Sequence, residues 1–200
     1  KVFIFGGLAG SKVAPGKYSL RMTLGDVISE TETTILPNPK VVSSPEDFIA
    51  QQKMLVSIEN TVKEMHESVN QMRSAKTQLS HYAKLLKDSK NADSLLEKGK
   101  ELTKRINSWE ENLIQAKQKT FQDVINFNNK LNAQLIQLKS YIDQANPKVT
   151  NGAKERFNDL MKDWQVYKNE RDTIINTEMQ AYNSLFKTLA IPALILEEKQ

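Results

Sequence analysis

The sequence predicts a mainly α-helical protein: a long antiparallel helical bundle preceded by a short antiparallel β segment. Three observations predict it. From Asp26 to Lys98 there is no Gly, and from Lys100 to Asn146 there is neither Gly nor Pro, so nothing there interrupts long helices. Across those stretches apolar residues recur at alternating three- and four-residue steps, which keeps one stripe of a helix facing a partner. Before Ser44, where five of the seven Gly and three of the six Pro lie, apolar residues alternate with polar ones as in a half-buried strand.

The β segment comes first. Val2 to Phe5 is a short apolar run. Tyr18, Leu20, Met22 and Leu24 alternate with Ser19, Arg21 and Thr23, Gly25-Asp26 supplies a turn, and the Thr- and Ile-rich run Ile28 to Ile35 reads as the returning strand. Pro37 and Pro39 end it and make a stiff linker. Three strands are too few for an immunoglobulin-type sandwich, which takes about seven. Residues 1–42 therefore read as the tail end of a β-domain plus a Pro linker, and 43–200 as the helical bundle; the resemblance given below makes that β-domain Ig-like. The chain opens in mid-strand without a signal peptide, so residue 1 reads as a boundary within a longer protein.

Ser44-Pro45-Glu46-Asp47 starts the first helix, with Ser44 at the N-cap, Pro45 at the first helical position and Asp47 bonding back to the cap. Its seam is Leu55, Ile58, Val62, Met65, Val69, Met72, Leu79, Ala83 and Leu86, interrupted by Lys76. The helix is expected to run to about Lys87, a rod of roughly 65 Å at 1.5 Å per residue. Asp88 to Asn91 is a turn. A second seam follows (Leu95, Leu102, Ile106, Trp109, Leu113, Ala116), then a third (Val124, Leu131, Leu135, Leu138, Ile142, Ala145). The two are out of phase by one residue, which predicts a kink or break in the middle helix between Lys117 and Asn128. Asn146-Pro147 is a stop, and Thr150 caps a last helix with seam residues Phe157, Leu160, Trp164, Tyr167, Ile174, Tyr182, Leu185 and Leu189.

Composition limits the chemistry. The net charge of +4 is spread among interleaved Lys, Arg, Asp and Glu, unlike the concentrated basic face of a nucleic-acid binder. There is no Cys, hence no disulfide, thiolate nucleophile or Cys-ligated zinc. No apolar run approaches the roughly 20 residues a transmembrane helix needs. His66 and His81 lie fifteen residues apart on one helix, too far to share an ion from one face, and read as solvated. Gly6 to Lys12 lacks phosphate-loop spacing and reads as a flexible turn. The pairs Glu110-Glu111 and Glu197-Glu198 read as solvated charges because adjacent helix positions diverge. Ser80-His81 diverges in the same way and has no orienting carboxylate. Trp109, Trp164, Tyr167 and Tyr182 sit on seams, so they read as core rather than as a ligand platform. No catalytic, cofactor-binding or metal-binding residue is therefore expected, and no cofactor.

The order of the segments resembles a known family. Ala14-Pro15-Gly16-Lys17-Tyr18-Ser19-Leu20-Arg21-Met22-Thr23 looks like the A-P-G-x-Y-x-V-x-L-T strand of Ig-like domains in secreted bacterial enzymes. Leu36-Pro37-Asn38-Pro39-Lys40-Val41 resembles the D-P-R-V linker in the C-terminal region of sortilin-type, BNR-repeat, glycosyl-hydrolase-like β-propeller proteins. Thr120 to Leu135 is similar to a stretch of the helical segment that follows there, and Tyr182 to Lys187 with Ile191 to Ile195 is similar to its tail. Asn38 stands where that pattern has Asp, and Asn128 where it has Pro. The resemblance implies a non-catalytic C-terminal structural or interaction module of a secreted, periplasmic or surface protein. It also implies upstream propeller and Ig-like domains as partners within the same chain. A protein or a glycan remains open as a further partner, and a free-standing coiled-coil adaptor resembling a spectrin repeat, or a carbohydrate-binding accessory module, is the alternative reading.

Overall fold

The computed structural model describes residues 10–89 and 91–191. Val2 to Phe5, most of the Gly-rich turn, Lys90, Glu197-Glu198 and the tail from Pro192 lie outside the described residues. The architecture is mainly helical, with a two-stranded antiparallel sheet ahead of the helices, as the sequence predicts.

Strands β1 (Gly16–Leu24) and β2 (Val27–Ile35) pair in the register Leu24↔Val27 through Gly16↔Ile35. Two residues turn the chain. Gly25 is left-handed at φ +58°, and Asp26 is not among the residues with positive φ. That is the II′ pattern, whose twist suits the strands and whose first central position calls for Gly.

Helix α1 (Pro45–Leu85) begins with the expected reciprocal cap: Asp47 N–H donates to Ser44 Oγ at 3.3 Å, and Ser44 N–H donates to Asp47 Oδ2 at 3.1 Å. Helix α2 (Asp93–Leu113) follows, then a 3-10 turn at Phe121–Val124, then α3 (Leu131–Ile142). The middle helix is thus broken where the phase slip predicts, over residues 114–130. No Pro is needed, because side-chain amides take up the freed carbonyls. Gln118 Nε2 donates to Phe127 O at 2.7 Å, and Gln115 Nε2 donates to Asn128 O at 3.0 Å. The 3-10 turn has a capping box of its own, with Asp123 Oδ2 accepting from Thr120 N–H at 2.7 Å. The backbone N–H of Thr120 and then that of Lys119, which donates to the same oxygen at 2.6 Å, hold the Asp123 carboxyl below the usual carboxylate range. The spacing T-x-x-D at Thr120 to Asp123 is the sequence signal for this box.

Helix α4 (Asn151–Thr173), capped by Thr150 Oγ1 on Ala153 N–H at 3.2 Å, passes through a π-helical segment, Ile174–Met179, into α5 (Gln180–Thr188). The backbone stays right-handed helical through both junctions. A π segment inserts one extra residue. The eight-residue step from Ile174 to Tyr182, both buried, is therefore a heptad plus that insertion.

The chain forms two compact units, and their boundaries fall inside α1, α3 and α4. One comprises residues 3–62 and 134–159, and its core includes Leu55, Ile58, Leu135, Leu138, Ile142 and Ala153. Buried Gln51 closes the end of α3 there, its amide donating to Ile142 O at 2.7 Å and to Gln144 O at 3.1 Å. The other comprises residues 63–133 and 160–200, with α2 packed against the π segment and α5. Its largest fully buried side chains are Trp109 and Trp164. Not every seam position is buried: Ala83 and Ala116 are exposed, and Val62, Val124, Phe157, Tyr167, Leu185 and Leu189 are half-buried. Ala145 also lies exposed, beyond the end of α3.

Candidate interaction surface

The hairpin carries the most unusual surface in the molecule. Side chains alternate across a strand, so the register puts Tyr18, Leu20, Met22 and Leu24 on one face with Val27, Ser29, Thr31 and Thr33. The opposite face holds Lys17, Arg21, Glu30 and Glu32, with Arg21 paired to Glu30. An amphipathic sheet normally turns its apolar face to a core. Here Leu20 is 55% exposed, Met22 68%, Leu24 76% and Val27 69%. At the other end of this face Tyr18 and its cross-strand neighbour Thr33 are partly covered, the Tyr18 hydroxyl donating to Ala14 O at 2.6 Å. Among the described residues no third strand pairs with either edge. A lone two-stranded hairpin is marginal in water, and three strands or a packed face are what make a sheet stable. Fully burying a side chain of this kind is worth about 1.5–3 kcal/mol. Covering the exposed parts of these four is therefore worth on the order of 4 kcal/mol.

The segment leading into β1 is tethered within its own unit. Ser11 Oγ donates to Glu59 at 2.5 Å, Lys12 Nζ donates to Asp143 O at 3.1 Å, and Ala14 N–H donates to Gln52 Oε1 at 3.3 Å. The Ser11 hydroxyl and then Lys139, at 2.9 Å, hold the Glu59 carboxyl below its ordinary range. The base of the hairpin is fixed, and its apolar face is open.

The other unit concentrates its charge in two buried or half-buried clusters. Glu110 is 8% exposed, which corrects the solvated reading of the Glu110-Glu111 pair; Glu111 is exposed. Burial pushes the Glu110 carboxyl up, but Lys76 at 2.8 Å and Arg73 at 2.6 Å outweigh it and hold its pKa below normal. Lys76, the break in the first seam, is thus the partner of a buried carboxylate on α2, and it also donates to Asn107 Oδ1 at 2.7 Å. In the second cluster Glu64 accepts from Trp164 Nε1 at 3.2 Å and from Lys168 Nζ at 2.7 Å. Burial opposes the ionised form there too, and the Lys168 bond leads the contacts that lower its pKa.

His66 is the second correction: it is half-buried rather than solvated, with Nε2 3.4 Å from Asn132 Nδ2. Burial first, and the Arg73 charge second, lower its pKa below 6.5. A neutral ring suits this place, since a protonated Nε2 would face the amide donor of Asn132. Unfolding restores the ordinary pKa, so the unfolded chain binds more protons below pH 6.5. His66 therefore contributes stability that is complete above pH 6.5 and declines as pH falls toward its depressed folded pKa. Urea unfolding at pH 7.5 and 5.5 is expected to show a smaller acid loss in His66→Gln than in the parent.

The remaining sequence candidates do not assemble. His81 is exposed and stands edge-on to Tyr82, 6.3 Å between ring centroids. Neither Trp offers a face to solvent, since Trp109 and Trp164 are 0% and 1% exposed. Trp109 Nε1 donates to Tyr167 O at 2.8 Å, so its polar edge is satisfied inside the core. Among the described residues no three His, Cys, Asp or Glu side chains are grouped to hold a metal ion, and no helix is long and apolar enough to cross a membrane. No family model, curated protein or solved structure matches the chain.

Proposed function

We propose that this chain is a non-catalytic structural and interaction module, whose helices form a scaffold and whose hairpin joins a larger β-structure. The observation that carries this reading is the open apolar face of Leu20, Met22, Leu24 and Val27 on a hairpin whose edges pair with no further strand among the described residues. Strand addition at such edges supplies main-chain hydrogen bonds and a cover for the apolar face together. The partner is further β-structure, of the Ig-like kind to which the Ala14 to Thr23 segment is similar, and the resemblance extends this to a secreted propeller protein.

The double variant Leu20→Lys/Met22→Lys tests the proposal. Both side chains are already mostly solvated, so in the 200-residue chain the change is expected to cost no more than about 0.5 kcal/mol. In the full-length natural polypeptide it is expected to lower the melting temperature by several degrees, because there the face is covered. A large loss of stability in the 200-residue chain itself contradicts the proposal, as does an unchanged melting temperature in the natural polypeptide.

A further inference from the structure

We propose that Met22 is a redox-modification site, oxidised to the sulfoxide by hydroperoxides, and that its oxidation opposes covering of the hairpin face. The second half rests on the reading of that face as a docking surface. The chain has no Cys, so its six methionines carry all of its sulfur. All six lie among the described residues, and burial separates them. Met65 and Met72 are 0% and 1% exposed, and Met54, Met161 and Met179 are half-buried. Met22 alone is exposed, at 68%. A hydroperoxide has to reach the sulfur itself, so exposure ranks the six.

Position gives the oxidation a consequence. Met22 stands between Leu20 and Leu24 on β1 and faces Ser29 across the hairpin, with Val27 and Thr31 diagonal to it on the same face. It is the middle one of the three exposed apolar side chains that β1 offers to a cover. An unbranched thioether suits that place, because it adapts to an irregular surface and is only a weak acceptor.

The sulfoxide does not suit it. The sulfur lone pair attacks the terminal oxygen of the hydroperoxide, an S–O bond forms and the O–O bond breaks. The remaining oxygen takes up the proton and leaves as an alcohol, or as water from hydrogen peroxide. Sulfur loses two electrons and the peroxide gains them. The new oxygen is a strong acceptor, hydrated on the open face and stripped of water under a cover, where an unpaired polar group is costly. The Ser29 and Thr31 hydroxyls can at best replace the water bonds given up, whereas the thioether gives up none. Cover and oxidation therefore oppose one another: the covered sulfur is out of a hydroperoxide's reach, and the oxidised one resists being covered. A sulfoxide reductase restores the thioether, consuming two thiols, so the change is reversible.

Hydrogen peroxide treatment followed by peptide mapping and mass spectrometry tests this in the 200-residue chain and in the longer natural polypeptide that supplies the proposed β-structure. In the 200-residue chain Met22 is expected to oxidise about tenfold or more faster than Met65 and Met72, with the difference lost in urea. In the longer polypeptide Met22 is expected to react about tenfold or more slowly than in the 200-residue chain. Once Met22 is fully converted there, the melting temperature is expected to fall several degrees further than that of Met22→Leu treated alike. A Met22 rate within about twofold of Met65 in the folded 200-residue chain overturns the modification site. Equal Met22 rates in the two polypeptides overturn the covered-face reading, and the effect of oxidation on it falls with it. Slow oxidation in the longer polypeptide with equal melting losses in the parent and Met22→Leu leaves the cover standing and overturns that effect alone.

Discussion

Trp109→Ala is expected to destabilise the unit built from residues 63–133 and 160–200 by about 3–5 kcal/mol. The indole is fully buried, so its removal forfeits transfer energy and leaves a cavity that fixed helices cannot fill. It also leaves the Tyr167 carbonyl without the 2.8 Å hydrogen bond from Nε1. Native domains are stable by only about 5–15 kcal/mol, so this one change brings the unit close to unfolding. Urea unfolding followed by circular dichroism measures it. A loss below about 1 kcal/mol would show that Trp109 is not the centre of that core.

Glu110→Ala is expected to cost about 2 kcal/mol at neutral pH. Removing one member of a buried ion pair costs 3–5 kcal/mol when the remaining charge stays uncompensated. Here Arg73 and Lys76 keep 36% and 23% of their side-chain surface, so water meets part of the loss. The same group governs an acid limit. Its folded pKa is depressed, so its stabilisation is present above the ordinary carboxylate pKa and is lost as pH falls through the folded value. Glu64 follows the same direction. The parent is therefore expected to lose stability steadily below about pH 4.5, and Glu110→Gln to show a shallower slope. Equal slopes in the two proteins would remove Glu110 from the account.

The contrast between the tryptophan and the glutamate marks what the sequence makes legible. Apolar periodicity is a property of one helix, so Leu55, Met65, Leu102, Trp109, Leu135, Leu160 and Trp164 can be assigned to cores from spacing alone, and all are buried. The one-residue phase slip between two seams locates the break, because a helix cannot turn two stripes to one core without losing its register. The hairpin turn follows from Gly25, the residue that adopts a positive φ without cost.

What stays hidden depends on a second element. Glu110 is buried only because α1 brings Arg73 and Lys76 to it, and nothing in Glu110-Glu111 distinguishes the buried member from the solvated one. The lone Lys76 in the α1 seam is the trace of that pairing. His66 is half-covered because Asn132, 66 positions away, comes to its ring. The seams overrun at Ala116 and Ala145 because α2 and α3 end at Leu113 and Ile142, and a seam does not mark where a helix stops. The hairpin face was legible as an apolar stripe. Its exposure was not, since alternation predicts a covered face.

Amide hydrogen exchange across Tyr18 to Thr33 measures whether the hairpin's apolar face is open. A two-stranded hairpin without a cover opens at little free-energy cost, so its amides in the 200-residue chain are expected to exchange close to unprotected rates. Those of Met65 to Met72, in the middle of α1, are expected to be protected as strongly as the unit is stable. In a longer natural polypeptide that supplies the proposed β-structure, the hairpin amides are expected to slow by at least a hundredfold, because strand pairing and burial of Leu20, Met22, Leu24 and Val27 would raise the cost of opening. Hairpin amides as protected as α1 in the 200-residue chain, or equally fast in both proteins, would contradict the account.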